Sequence, residues 1–252
     1  MKKISIITIA YNSAETIEAT ILSVLEQDYP NLEYIIIDGD SKDDTMNIVK
    51  KYGDKISIVI SEPDQGIYDA MNKGVSAATG DVIGILNSDD FYASKTGLSE
   101  VMAVFNSTDI EGLYADLVYV DRENSDKIVR RWKAGQYHPG MFLKGWMPPH
   151  PAFFTTSDCY KKYGNYTLEL HSAADYELML RFIHRYRIKL HYLPITLTKM
   201  RVGGQSNVSI KNRIKANLED RKAWEMNGMS AGALTLIRKP LSKVSQFFKK
   251  GE

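Results

Sequence analysis

Apolar runs alternate with helical periodicities along the first 92 residues, and this alternation constrains the fold more than any other feature of the chain. Four short runs are apolar and mostly rich in β-branched residues, which predicts buried strands. They cover residues 4–10, 34–37, 56–63 and 82–86. The segments between them carry apolar residues at helical spacing. A strand–helix alternation of this kind predicts an α/β fold with a mostly parallel central sheet flanked by helices.

Three local patterns refine the helices of this first part. Ile17, Ile21 and Val24 recur at helical spacing before Pro30, which would end that helix. Ser41 is placed to cap the next helix, and a third helix would bury the face formed by its periodic apolar residues. Those residues are Ile67, Met71, Val75 and Ala78.

The second part of the chain also alternates, but less regularly. Strands are predicted at 112–121, 127–135, 150–156 and 187–194, and helices at 175–186 and 212–228. We therefore expect one domain over residues 1–208, with a nucleotide-binding half (1–92) and an acceptor half (93–208). Residues 209–252 would form a helical, basic amphipathic extension, because residues 211–252 carry ten Lys and Arg against four acidic residues.

Polar clusters follow three of the predicted strands at the point where each strand ends. They are Tyr11-Asn12, Asp38-Gly39-Asp40 and Asn87-Ser88-Asp89-Asp90. In parallel sheets, ligands bind at the carboxyl ends of the strands, so these clusters should share one edge. Two adjacent carboxylates repel each other, and a divalent cation would remove that repulsion. Oxygen ligands suit Mg²⁺ or Mn²⁺, which complete their coordination with water and phosphate, so the sequence predicts a site for a diphosphate.

Several other classes of site are excluded by the motifs that the chain lacks. Tyr11-Asn12-Ser13 stands where a dinucleotide fold would have its glycine-rich turn, and no P-loop sequence occurs. A receiver domain would want acids after the first strand, and no Cys/His spacing suggests zinc. The net charge of +1 argues against binding a polyanion such as nucleic acid. The single cysteine fits a reducing cytoplasm, and no apolar stretch is long enough to span a membrane.

Six segments in order resemble the family 2 glycosyltransferases, over roughly residues 1–208. They are ISIITIAYN, IIIDGDSKDDT, SEPDQGIYDAMNKGVSAATGDVIGILNSDD, HPAFFTTSDCYKKYGNYT, AADYELMLRF and RVGGQSN. The resemblance implies the GT-A nucleotide-diphospho-sugar transferase fold. It is strongest to small bacterial enzymes that build O-antigen, capsule or exopolysaccharide, and it implies a metal-dependent enzyme.

The resemblance also implies roles on the donor side. Ala10, Tyr11 and Asn12 would contact the base and ribose, and Asp38 would accept a hydrogen bond from the uracil N–H. The donor site would further be lined by residues 64–73, by residues within 87–90 and by the arginine of RVGGQSN. Its members are Asp64, Asn72, Lys73, Ser88, Asp89 and Arg201, with Asp89 and Asp90 as metal ligands. The family commonly has Asp where this chain has Asn87 or Ser88.

On the acceptor side, the resemblance implies that Asp175 is the catalytic base. Sequence mechanics alone would favour a helix-capping role for Asp175, since acids are stabilised at helix N-termini. Glu177 is the alternative base. His150 and Trp146 are candidates for acceptor contacts, although a structural role fits either of them as well. Arg201 is expected in a loop that closes over the diphosphate.

The function expected from these features is transfer of a sugar from a nucleotide donor, with UDP favoured, to a saccharide acceptor. One base and no opposing nucleophile would invert the anomeric centre. The acceptor is expected to be lipid-linked, and residues 229–252 read as a basic amphipathic membrane contact on the cytoplasmic side. An inactive nucleotide- or carbohydrate-binding module is the alternative. A nucleotidyltransferase would want a glycine- and arginine-rich loop after the first strand.

Overall fold

The fold is described from a computed structural model, which defines residues 1–203 and 210–230, with side chains from 218 onward in the second range. The strands are β1 (Ile4–Ala10), β2 (Leu32–Asp38), β3 (Ile58–Ser61), β4 (Val82–Asn87), β5 (Asp90–Tyr92), β6 (Gly112–Val120), β7 (Ile128–Trp132), β8 (Phe153–Thr156) and β9 (Leu190–Arg201). The helices are α1 (Ile17–Leu25), α2 (Thr45–Lys50), α3 (Ile67–Ala77), α4 (Gly97–Ser107), α5 (Ser157–Tyr163), α6 (Ala174–Met179) and α7 (Ile210–Met226).

Within the described ranges, all nine strands join one mixed sheet in the order β3-β2-β1-β4-β8-β6-β9-β5, with β7 paired to β6. Strands β1, β2, β3, β4, β6 and β9 run in the same direction, and β5, β7 and β8 run against them. The parallel strands therefore present their carboxyl ends on one edge. The predicted α/β architecture is confirmed.

The sheet separates two apolar layers because successive side chains of a strand face opposite ways. In β1, Ile7 and Ile9 face the layer that contains α3, α5 and α6, whereas Ile4 and Ile6 face the layer that contains α1, α2 and α4. Every residue of β1 is buried, as expected for a central parallel strand. Because helices pack on both faces of the sheet, the ends of the strands that carry the polar clusters are held in place.

Two predicted helix details are wrong. Helix α2 begins at Thr45, and Ser41 instead donates hydrogen bonds from its backbone N–H and its hydroxyl to the carboxylate of Asp38. In α3, Tyr68 rather than Ile67 lies on the buried face, and the Ile67 side chain is 43% exposed. The helix expected at 175–186 forms as α6 followed by a π-helical turn over Leu180–Arg185.

Strand β9 extends beyond the predicted end at Pro194 and reaches Arg201. Its register against β6 shifts after the Ala115–Leu193 pair, so that Asp116 pairs with Thr196. The irregularity accommodates Pro194, which has no N–H to donate to a regular ladder. Arg201 is consequently the last residue of a strand and not part of a loop. Of the RVGGQSN segment, residues 204–207 lie outside the described residues.

The C-terminal half of α7 packs against the rest of the protein. Trp224 is 1% exposed and Ala223 is fully buried, both in the layer that contains α6. The predicted amphipathic tail, residues 229–252, lies outside the described residues from 231 onward. No helix in the described part of the chain has the length and apolarity needed to cross a membrane.

Candidate active site

The acidic tip of β4, residues 87–90, is held firmly by its neighbours. The hydroxyl of Thr20, from α1, donates to the backbone oxygens of Ser88 (2.9 Å) and Asp90 (2.7 Å). The Ser88 hydroxyl lies 2.7 Å from that of Ser13, which follows β1. The tip is therefore fixed by the first strand–helix connection as well as by its own strand.

The carboxylates of the acidic tip are strongly perturbed. Asp90 is fully buried, and neither of its carboxylate oxygens has a hydrogen-bond partner of normal geometry. Burial raises the pKa of Asp90 well above its usual range and the charge of Asp89 adds to that shift, while Arg201 and the nearby Asn87 side chain oppose it. Burial also raises the pKa of Asp89, while the charges of Arg201 and Arg122 oppose the rise. Unpaired buried carboxylate oxygens are costly, which marks this tip as a place for a ligand.

These residues fit a divalent cation by their chemistry. The side-chain oxygen of Asn87 is also buried without a partner, so the tip offers hard oxygen donors from three of its four residues: Asn87, Asp89 and Asp90. Within the described side chains, no three His, Cys, Asp or Glu residues are grouped to hold a metal by themselves. A cation here would complete its coordination with water and phosphate oxygens, as Mg²⁺ and Mn²⁺ commonly do.

Arg201 lies beside the acidic tip. Its Nη1 donates to the backbone oxygen of Asp89 at 2.8 Å, and its guanidinium lies 4.6 Å from the centre of the Phe91 ring. The pairing of β5 with β9 brings Asp90 opposite Met200, which sets this placement. The guanidinium is thus oriented by the sheet before any ligand arrives, and its planar donors suit phosphate oxygens.

The tips of β1 and β2 form a second group with the loop after β3. Gly39 makes the close approach possible, because a Cβ at this position would lie 2.4 Å from Asp64 Oδ2 and 3.3 Å from Tyr11 Cδ2. Tyr11 is 57% exposed, so its ring is available to a base. Asn12 adopts a positive φ of 47° and its side chain accepts from Lys42 N, which ties the two strand tips together.

The remaining donor-side predictions differ in accessibility. Asp38 is fully buried and accepts hydrogen bonds from Ser41 and Ser61, while Ala10 is buried at the end of β1. Asn72 Nδ2 donates to Tyr166 O, and Asn72 Oδ1 accepts from Tyr166 N, both at 2.9 Å. Lys73 pairs with Glu62 at 2.9 Å. Asn72 therefore acts here as a brace between α3 and the loop before α6.

Asp175 lies in the first turn of α6, half-buried at the same edge of the sheet. Tyr68 donates its hydroxyl proton to Asp175 Oδ1 at 3.1 Å. Burial raises the pKa of Tyr68, so the phenol remains a donor, and the carboxylate charge of Asp175 adds to that shift. Glu177, the alternative base, is buried and bonded to Arg181 and Asn227, which leaves Asp175 as the accessible carboxylate.

The two acceptor candidates have structural partners. His150 is buried with Nε2 3.3 Å from the Tyr166 hydroxyl; burial lowers its pKa, and the Asp175 carboxylate opposes that shift. Trp146 is half-buried and donates from Nε1 to Ala134 O at 2.7 Å. Its ring packs against three other aromatic rings, those of Tyr114, Tyr137 and Phe142.

Two residues of this edge were not singled out by the sequence. Tyr68 lies within the segment 64–73 that was expected to line the donor site, but only the fold brings it to Asp175. Arg122, in the turn after β6, belongs to no motif, yet its charge acts on Asp89. No sequence signal near Arg122 would have linked it to the site.

Comparison with known proteins identifies the family. The profile described as "Glycosyl transferase family 2" matches residues 5–162. The chain belongs to glycosyl transferase family 2. This glycosyltransferase is 32% identical over 186 residues to an uncharacterized glycosyltransferase of Mycobacterium tuberculosis, covering 71% of the chain and 68% of the relative. It is 28% identical over 214 residues to a PGL/p-HBAD biosynthesis glycosyltransferase of Mycobacterium bovis, covering 82% and 80%.

Solved structures of GT-A glycosyltransferases share the fold of this family 2 member. One is S. aureus TarS 1-349 in complex with UDP-GlcNAc, with a TM-score of 0.68, 18% identity, and coverage of 89% of this chain and 65% of that one. Another is the mannosyltransferase PcManGT from Pyrobaculum calidifontis in complex with GDP-Man and Mn²⁺, with a TM-score of 0.68, 15% identity, and coverage of 99% and 70%. The predicted GT-A fold is confirmed.

Proposed function

We propose that this glycosyltransferase moves a sugar from a UDP-sugar to a saccharide acceptor, with metal assistance and with inversion at the anomeric carbon. The observation that carries the proposal is the acidic tip. Asp90 buries two unpartnered carboxylate oxygens beside Asp89, at the sheet edge that also carries Asp175 and Arg201. A cation-and-diphosphate site next to an accessible carboxylate is what sugar transfer from a nucleotide donor requires.

The donor diphosphate would lie against the acidic tip. Asn87, Asp89 and Asp90 would hold Mg²⁺ or Mn²⁺, and a bound cation would supply charge stabilisation for the departing diphosphate. Arg201 would donate to phosphate oxygens from its position above Phe91. The mannosyltransferase neighbour, whose structure contains GDP-Man and Mn²⁺, supports a divalent metal in this fold.

The nucleoside would lie over the tips of β1 and β2. The exposed ring of Tyr11 offers a stacking surface, and Asp64 presents a half-exposed carboxylate beside it, with Ala10 and Asn12 shaping the floor. Asp64 is the acceptor available for an imide N–H of uracil. Asp38, expected from the sequence in this role, is fully buried and already accepts hydrogen bonds from Ser41 and Ser61. The TarS neighbours, solved with UDP-GlcNAc and with UDP, support uridine as the base.

Asp175 would accept the proton of the acceptor hydroxyl as that hydroxyl attacks the anomeric carbon. Tyr68 holds Asp175 Oδ1, so Oδ2 is the oxygen left for the substrate. With one such base and an attack from the face opposite the leaving diphosphate, a single displacement inverts the configuration. His150 and Trp146 would contribute to the acceptor side of the cleft.

The acceptor we propose is lipid-linked, in cell-surface polysaccharide or glycolipid synthesis at the cytoplasmic face of the membrane. The PGL/p-HBAD biosynthesis glycosyltransferase of M. bovis and the basic amphipathic sequence at 229–252 support this assignment. Flotation with anionic liposomes tests the membrane contact. Deletion of 229–252 should abolish flotation, and unchanged flotation would exclude the contact.

The main experiment measures release of the nucleoside diphosphate, UDP from a panel of UDP-sugars and GDP from a panel of GDP-sugars, with Mn²⁺, with Mg²⁺ and with EDTA. We expect release from one UDP-sugar that depends on the metal and is lost, by at least about a hundredfold, in Asp89→Asn and in Asp175→Asn. The anomeric configuration of the product, read by NMR, tests inversion. Nucleotide binding without turnover on any acceptor would instead identify an inactive binding module, and full turnover in EDTA would refute metal dependence.

A further inference from the structure

Arg122 lies near the proposed donor site, although it belongs to no sequence motif. It lies two residues beyond the end of β6, and β6 runs parallel to β9 with Val120 opposite Arg201. Val202 N donates to Val120 O at 3.0 Å, which locks the two strand ends together. The β6–β7 turn therefore emerges at the same edge as Arg201 and the acidic tip.

The turn that carries Arg122 has a defined backbone. Asp121 Oδ1 accepts from the backbone N–H groups of Glu123 and Asn124, and Asp121 N donates to Lys127 O at 2.9 Å. Such Asp-centred turns fix the direction of the next side chain. Arg122 is thus presented from a fixed point, while its own side chain is 54% exposed and free to change rotamer.

In this structure Arg122 binds Glu15. Its Nη2 lies 2.7 Å from Glu15 Oε2, across 107 positions of sequence. Glu15 belongs to the connection after β1, in which Ser13 contacts Ser88 of the acidic tip at 2.7 Å. The two partners therefore approach the acidic tip from two different connections, one after β1 and one after β6. The Glu15 side chain is 80% exposed, so this ion pair is solvent-accessible and easily exchanged.

The charges around Asp89 are arranged for a further anion. Arg122 and Arg201 both act on Asp89, and each arginine carries a permanent positive charge. The acids whose charges act on these two arginines are Asp89, the buried Asp90 and the exposed Glu15. A diphosphate brings several negative charges and planar oxygen edges, which a guanidinium binds with two parallel donors. Glu15 now accepts from the Arg122 guanidinium with one carboxylate, whereas a diphosphate would offer that guanidinium more charge and more acceptor oxygens.

We propose that Arg122 is a second diphosphate-binding residue, and that Glu15 is an internal anion which the donor displaces from it. The inference rests on the proposed function and deepens it by assigning a residue outside the family motifs. Binding of the donor would then break the Arg122–Glu15 pair and turn the Arg122 side chain toward the leaving group. If the ion pair were purely structural, loss of Arg122 and loss of Glu15 would have the same effect on UDP binding.

The test compares the two partners of this pair, since the proposal gives them opposite effects. The dissociation constant of UDP is measured by calorimetry, with and without Mn²⁺, in the full-length protein. Arg122→Gln should weaken UDP binding roughly tenfold, in line with the loss of charge-assisted hydrogen bonds. Glu15→Gln should strengthen it about two- to fivefold, because the competing anion is gone. Arg122→Lys should fall between Arg122→Gln and the wild type, since it keeps the charge and loses the planar fork.

Two further variants make the result decisive. The double variant should bind like Arg122→Gln, because Glu15 acts only through Arg122. Arg221→Gln is the matched control, since it removes an equally exposed arginine, which pairs with Glu225 at 3.1 Å, and it should leave UDP binding unchanged. Equal weakening by Arg122→Gln and Glu15→Gln, or no effect of Arg122→Gln on binding, would overturn the inference. If the wild-type protein binds no nucleoside diphosphate at all, the proposed function itself fails.

Discussion

The hydroxyl of Tyr68 donates to Asp175 Oδ1 at 3.1 Å and so joins the first turn of α3 to the first turn of α6. The two residues are 107 positions apart in sequence. The Tyr68 ring also stacks on that of Tyr166, with centroids 5.9 Å apart, so the phenol is held in place. This contact fixes one oxygen of the proposed base and leaves the other for substrate.

Tyr68→Phe should therefore lower kcat about three- to tenfold while changing the donor KM little, because one net hydrogen bond to a charged group is removed from the base. Steady-state kinetics measures both constants. Tyr186→Phe, on the exposed side of the π-helical turn, serves as the control. An unchanged kcat in Tyr68→Phe would show that this hydrogen bond does not position the proposed base.

Gly39 offers a test of the nucleoside site that hardly involves stability. A Cβ here would lie 2.4 Å from Asp64 Oδ2, so Gly39→Ala should push the Asp64 side chain away from Tyr11. We expect the UDP dissociation constant to rise about five- to twentyfold, with a shift of a few degrees at most in Tm. Gly53→Ala is the matched control, because nothing lies within 4 Å of its added Cβ. Equal UDP affinity in the two variants would show that Asp64 does not contact the nucleotide.

The sheet and its polar strand ends could be predicted because their signals are local. The runs in β1, β2 and β4 are mostly apolar, as in strands buried on both faces, and clusters of polar residues begin where each strand ends. The end of β9 could not be predicted, because Pro194 is a strand breaker unless the neighbouring strand supplies an irregularity. That irregularity lies in the pairing with Ala115 and Asp116, which local sequence does not reveal.

The candidate site divides in the same way. Asp89 and Asp90 stand out because adjacent acids at the end of an apolar run are unusual, whereas the partners of Asp175 and Asp89 arrive from distant segments. Tyr68 follows core spacing, and Arg122 lies in an ordinary polar turn. Their roles depend on the order of β6 and β9 in the sheet and on where α6 packs against it, which a single sequence does not specify.

Glu33 makes a pH-dependent contribution to stability at the edge of the sheet opposite the candidate site. Burial alone would raise its pKa, but hydrogen bonds from Lys3 (2.6 Å), Ser5 (2.5 Å) and both donors of Thr79 outweigh it and lower the pKa to about 2. A depressed pKa in the folded state contributes stability above the unfolded value near 4.5. That contribution disappears as the pH falls from about 4.5 toward 2.

Glu33→Gln should accordingly reduce the free energy of unfolding by roughly 2–3 kcal/mol at pH 7, and the difference from wild type should shrink as the pH falls below about 4.5. Urea denaturation at pH 7, 5 and 3.5 measures it. Glu26→Gln, which removes an exposed pair with Lys95 at 3.3 Å, should cost less than about 1 kcal/mol. A Glu33→Gln deficit that stays constant over this pH range would contradict the assignment.

Helix α7 lies beyond residues 5–162, the part matched by the family profile, yet it supports the loop that precedes Asp175. Glu219 Oε2 accepts from the backbone N–H groups of His171 and Ser172 and from the Ser172 hydroxyl, at 2.7–3.1 Å. Glu219 is 9% exposed, so its loss would leave these donors without a comparable acceptor. The loop would then relax, and the Asp175 carboxylate would move with it.

Glu219→Gln should reduce kcat about five- to twentyfold at a temperature well below its own Tm, with donor affinity unchanged, because small displacements of a base are costly to catalysis while the proposed diphosphate ligands belong to other elements. Glu225→Gln on the same helix, with its side chain 61% exposed, should retain wild-type kcat. Glu219→Asp, which keeps the charge on a shorter side chain, should recover part of the lost rate. A Glu219→Gln enzyme that melts earlier but turns over at the wild-type rate would limit α7 to a stabilising role.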